Sequence, residues 1–139
     1  MASRGKFFPA ARPGDIVWCH FPQHKILKPG PKSRPGLVVK VGEIAGEPAV
    51  AVAYGTGQNV GELHPREFAI TRADREAFLL AGLSFDTKFD LSRVVELPFS
   101  AQWFAVPPGA PHGQSPKIGI LHPTVMRRAA AANRAAAKK

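Results

Sequence analysis

The run RPGLVVKV (34–41) and the run EPAVAVAYG (47–55) are separated only by GEIAG (42–46). Both are rich in β-branched or small apolar residues, and Pro35 stands at the start of the first, where a strand tolerates a missing donor. A connection this short cannot carry a parallel crossover, so the two runs pair as an antiparallel hairpin. The segments around it must then find places beside that hairpin. DIVWCHF (15–21), after the Pro13-Gly14 turn, alternates as a first strand, with Ile16, Trp18 and His20 on one face and Val17 and Cys19 on the other. Between this strand and the hairpin lies PQHKILKPGPKS (22–33), a proline-rich basic loop without an acidic residue.

Further along, PREFAIT (65–71) reads as a short strand and ADREAFLLAG (73–82) as a short helix stopped by glycine. FDTKFDLSRVVELPF (85–99) contains another strand, with Phe89, Leu91, and Val94 or Val95 as its inward positions. Four prolines between 107 and 116 make residues 106–122 an irregular connection. PTVMRRAAAANRAAAKK (123–139) opens with proline, is dominated by alanine and ends in cations, the pattern of a terminal helix matched to its dipole. The expected fold is mainly β with short helices (α+β). Four or five antiparallel strands form a small barrel or strongly curled sheet, with a C-terminal helix. A chain of 139 residues suits one domain over 1–139, its core at about 13–105.

Composition narrows the function classes. With 45% hydrophobic and 21% charged residues the chain is globular. The single Cys19 excludes an internal disulfide and fits a reducing compartment. MASRGKFFPAA lacks the apolar stretch of a signal peptide and no run is long enough to span a membrane, so the expected location is cytoplasmic. The histidines, at 20, 24, 64, 112 and 122, show neither metal-ligand spacing nor a nucleophile motif, so neither a metal nor a cofactor is expected. Net charge is +9 and sits at the ends: residues 1–34 carry seven cations and one acid, residues 127–139 five cations and no acid. Basic ends favour phosphate backbones or acidic peptides, against the plainer reading of charge as a solubility device.

Three places could carry chemistry. Arg34 stands where the basic loop enters a rigid strand, and its fork can grip a phosphate; alone, such an arginine is more often a surface ion-pair partner. Gly55-Thr56-Gly57-Gln58 ends the following strand, where glycine-exposed N–H groups and the Thr56 hydroxyl could cradle an anion, although most such stretches are simply turns. Lys88 and Asp90, two apart on a strand, share a face, and a surface salt bridge is the bland account of them.

Taken together, GDIVW (14–18), RPGLVV (34–39), a strand ending in Thr56-x-Gln58, and Arg93-Val94-Val95 before a terminal helix resemble the MazF/PemK family of bacterial toxins. The resemblance covers roughly residues 13–98. It implies an SH3-like β-barrel, usually a homodimer. It also implies metal-independent endoribonuclease action on single-stranded RNA, leaving a 2′,3′-cyclic phosphate and a 5′-hydroxyl, inhibiting translation and growth. An acidic MazE/PemI-like antitoxin would lie over the active groove. By position the family's catalytic arginine falls on Arg34 and its threonine on Thr56; the Arg-x-Asp pair of the PemK-like branch falls on Lys88 and Asp90, and its loop histidine on His24. Lysine at 88 keeps the charge without the planar fork.

On this reading Arg34 meets the scissile phosphate, and Thr56 with Gly55, Gly57 and Gln58 holds it. Arginine stays protonated, which leaves Asp90 or His24 as base. Lys25, Lys28 and Lys32 follow the flanking backbone, and Trp18 or Phe21 stacks a base if exposed, although strand aromatics more often pack inward. The rival class is a non-catalytic SH3-like RNA- or protein-binding module, for example a gyrase poison resembling CcdB.

Overall fold

A computed structural model describes residues 7–22 and 28–138, so His24 and Lys25 lie outside the described residues. The strands are β1 (Asp15–Cys19), β2 (Arg34–Ile44), β3 (Glu47–Thr56), β4 (Glu67–Ile70), β5 (Thr87–Pro98) and β6 (Lys117–Ile120). A 3-10 turn over Arg72–Asp74 leads into α1 (Glu76–Leu80), and α2 (Pro123–Ala137) follows β6. All six strands form one sheet in the order β4-β5-β3-β2-β1-β6, with every pairing antiparallel. The mainly β α+β class with a C-terminal helix is therefore the observed one.

Alternation explains how this sheet buries both faces. Ile16, Leu37, Ala53, Phe68, Ile70, Phe89, Leu91 and Ile118 join one cluster, which α1 covers with Ala77 and Phe78 and α2 with Val125 and Ala132. Val17, Cys19, Val38, Val50, Val52 and Leu97 point the other way and join Phe21, Phe99, Trp103 and Phe104 in a second cluster. Within β1 the split is the expected one: Ile16 packs in the first cluster, with Trp18 against it, and Val17 and Cys19 in the second. Residues from both edge strands, β4 and β6, meet in the first cluster, so the sheet is strongly curled.

Two sequence expectations need correction. Residues 106–122 are not wholly irregular, because KIGI forms β6 against the outer edge of β1, with Ile16 opposite Gly119. A four-residue run behind several prolines offers no periodicity to read, and what makes it a strand is the unpaired edge it completes. This strand brings the total among the described residues to six. Of the two valine alternatives in β5, Val94 is 41% exposed while Val95 packs against the second cluster. The expected helix at 73–82 is divided at Arg75, whose φ of 49° separates the 3-10 turn from α1.

β5 changes partner phase midway. Asp90 lies opposite Tyr54 and Val94 opposite the adjacent Ala53, so residues 91–93 have no counterpart on β3. This bulge lets Phe89 and Leu91 serve the first cluster and Leu97 the second.

Candidate active site

Phe89 is fully buried in the first cluster, which sends its neighbours Lys88 and Asp90 to the opposite face of the sheet. On β3, Tyr54 is paired with Asp90 and Thr56 with Lys88; on β4, Glu67 is paired with Asp90. Cross-strand partners share a face, so Tyr54, Thr56, Glu67, Lys88 and Asp90 form one polar surface beyond the end of the second cluster. Arg34 joins it from β2: Gly36 is paired with Tyr54, and the Arg34 guanidinium carbon lies 5.8 Å from the Tyr54 ring centroid. The two site strands touch directly behind this surface, because a Cβ on Gly55 would stand 2.3 Å from the Pro35 carbonyl oxygen and 2.8 Å from the Phe89 ring. That position admits only glycine without displacement of backbone.

A groove of about 400 Å³ opens at Arg34, lined by Phe21, Pro22, Gly30, Pro31, Lys32, Tyr54 and Arg93. None of these residues is acidic, and among the described residues neither Lys32, Arg34 nor Arg93 is ion-paired. The loop wall of the groove is held by His20, whose Nδ1 meets the Gly30 carbonyl at 3.1 Å and whose Nε2 meets the Ser33 hydroxyl at 3.2 Å. Thr56 receives the Gln58 amide on its hydroxyl at 3.2 Å, closing the turn while its own O–H is left to donate outward. Gly57 packs under Phe85, and Gly57 and Gln58 are both exposed. Lys28 and Lys32 are exposed as well.

Lys88 is not paired with Asp90. Its ammonium donates to Glu67 Oε1 at 3.2 Å and to the Glu62 carbonyl at 3.1 Å, and its side chain is only 12% exposed. Asp90 accepts from both the amide and the hydroxyl of Ser92 on one oxygen and faces His64 Nε2 at 3.7 Å with the other. His64 Nε2 also lies 3.3 Å from Glu67, and its Nδ1 accepts the Arg66 amide at 3.2 Å. That last bond requires a lone pair on Nδ1, so the ring proton of neutral His64 sits on Nε2, between the two carboxylates.

His64, Glu67 and Asp90 each offer a ligand atom, all within 4.8 Å of one another, and among the described residues they are the group that could hold a metal ion. The Lys88 ammonium already supplies positive charge to Glu67 at that place. Histidine spacing alone did not reveal this constellation, which the β4–β5 pairing assembles. Elsewhere, burial pushes the Cys19 thiol well above its ordinary range, which makes it inert rather than nucleophilic. Trp18 packs against the first cluster and Phe21 lies edge-on to Tyr54, ring centroids 5.2 Å apart, so both aromatics serve packing.

Of the residues expected from sequence, Arg34, Thr56, Lys88 and Asp90 share one surface, with Lys32 on the rim of the adjoining groove. Tyr54, His64, Glu67 and Arg93 were not assigned. Tyr54 stands two residues before Thr56 and is therefore on its face by simple alternation. Arg93 depends on the β5 bulge, for which the sequence carries no signal.

The architecture is thus a curled antiparallel sheet with a polar rim and a basic groove, a class of fold with solved relatives. One is an endoribonuclease from a mycobacterial species in complex with its cognate antitoxin. It superposes with a TM-score of 0.56 at 14% identity, over 91% of this chain and 94% of that one. Another, an endoribonuclease from a mycobacterial species, gives 0.55 at 15% identity over 94% of each chain. At such identities the likeness is one of fold. No protein-family model and no curated protein sequence matches this chain. Among the described residues, no helix is long and apolar enough to cross a membrane.

Proposed function

We propose that this chain is a MazF/PemK-type toxin of a type II toxin-antitoxin pair, a cytoplasmic endoribonuclease cutting single-stranded RNA. The observation that carries the reading is Arg34: a guanidinium without an ion-pair partner among the described residues, at the mouth of a groove lined by no acid. The fold shared with the mycobacterial endoribonucleases supports it. RNA brings its own nucleophile. The 2′-oxygen bonds to phosphorus as its proton passes to Asp90; the P–O5′ bond breaks, and the 5′-oxygen takes a proton from solvent. Arg34 and the Thr56 hydroxyl stabilise charge building on the phosphoryl oxygens, the role of an oxyanion hole. An acidic antitoxin segment would occupy the groove in place of RNA, and the toxin would act as a homodimer.

The test is incubation with mixed-sequence single-stranded RNA in excess EDTA, followed by end-group analysis. Cyclic-phosphate and 5′-hydroxyl ends are expected, and Arg34→Ala lowers the rate by about two to three orders of magnitude while remaining folded. Loss of cleavage in EDTA would move the chemistry to the His64, Glu67 and Asp90 cluster. RNA left intact at high protein concentration would favour the binding-module class.

A further inference from the structure

Arg93 occupies a position that regular strand geometry would not give it. It falls in the stretch of β5 with no counterpart on β3, between Asp90 opposite Tyr54 and Val94 opposite Ala53. A bulge re-aims the side chain it carries. Here the result is a guanidinium whose carbon lies 4.0 Å from the Tyr54 ring centroid, closer than Arg34 on the same ring. That distance is a cation–π stack, which fixes the plane of the fork while its N–H edges stay free. Arg93 is exposed, has no ion-pair partner among the described residues, and lines the groove beside Lys32 and Arg34. Lys88, the cation nearest Asp90 in sequence, is meanwhile engaged by Glu67 and the Glu62 carbonyl.

We propose that Arg93, held by Tyr54, is a second phosphate-binding residue, gripping the RNA backbone at the phosphate next to the one that Arg34 meets. Two guanidiniums on one aromatic ring give a rigid pair of anion receptors, whereas two free arginines would each lose rotamer entropy on binding. The cost of orientation is met in the folded protein before RNA arrives. This rests on the reading of the chain as an RNA-cutting toxin.

The experiment measures cleavage of a single-stranded RNA, and affinity for its uncleavable 2′-O-methyl counterpart, over a range of salt. Arg93→Ala is expected to raise KM and the Kd for the methylated strand by about tenfold, the size of one lost charge-assisted contact, with kcat falling less than KM rises. The slope of log affinity against log salt should shrink by about 0.7, one phosphate contact on a single strand. Arg93→Lys keeps the charge without the stack and should retain the salt slope while losing part of the affinity. An Arg93→Ala protein that cuts RNA with wild-type KM and salt slope overturns the proposal and leaves the nuclease reading standing. A wild-type protein that binds the methylated strand through Arg93 yet cuts no RNA removes the nuclease reading and keeps the phosphate site. Loss of affinity in Arg93→Ala with an unchanged slope would assign Arg93 to packing over Tyr54 and also overturn it.

Discussion

At Lys88 the ammonium ties β5 to Glu67 of β4. The lysine side chain is 12% exposed and that of Glu67 is 7%, so removing the ammonium leaves a carboxylate that water reaches poorly with, among the described residues, only the His64 amide and ring beside it. Lys88→Met should cost about 2 kcal/mol in urea unfolding, and adding Glu67→Gln should recover part of it. Gly55 responds to the opposite fault. A methyl group there meets the Pro35 carbonyl and the Phe89 ring, so Gly55→Ala should destabilise by about 3 kcal/mol, read as a lower denaturation midpoint. Arg34 and Thr56 are legible in the sequence because each sits at a strand end marked by proline or glycine. Tyr54 could have been found by counting two residues back from Thr56. Arg93 could not, since its place depends on three residues of β5 that pair with nothing on β3.

At the scale of elements, Arg128 adds a polar tie to the apolar seat that Val125 and Ala132 give α2. Arg128 forks onto both oxygens of Asp74, at 2.7 and 3.0 Å, and donates to the Ala69 carbonyl at the end of β4. The hydrogen bonds from Arg128 are the main reason that the Asp74 carboxyl is held below its ordinary value of 3.8; the Thr71 amide adds to the effect. A depressed carboxylate contributes stability above its unfolded pKa, and that contribution is lost as pH falls through the folded value. Urea midpoints of the wild type should therefore drop below about pH 4, and Arg128→Met should lower the neutral midpoint and flatten that acid limb. The helix itself was readable from Pro123, the alanines and the terminal cations, and His122 caps it by accepting the Thr124 amide at 3.1 Å. β6 was not readable, because what makes KIGI a strand is the vacant edge of β1 rather than anything in its own four residues.

Across the whole molecule, burial on both faces of one sheet couples parts that are distant in sequence. Cys19 lies fully buried in the second cluster beside Phe104 and Trp103, so its thiol reports on that cluster as a unit. A maleimide at neutral pH should leave the native protein unlabelled and modify it only as fast as that cluster opens; rapid labelling under native conditions would show the second cluster to be loosely closed. The mainly β architecture was visible from three runs of strand-forming residues and the short connection between two of them, whereas its two-sided packing depends on bulges in β2 and β5 that shift which residues face which cluster.

The contact between Gly55 and the Pro35 carbonyl has a consequence for how such a protein can change over time. The spacing of Arg34 and Thr56 is gauged by main chain against main chain, with the Phe89 ring of the first cluster packed beside that contact. Core residues away from Phe89 can be exchanged for others of similar volume without altering that gauge. A lineage could therefore rewrite most of its interior and still deliver the same two groups to the same rim, as long as one hydrogen remains where a methyl would not fit.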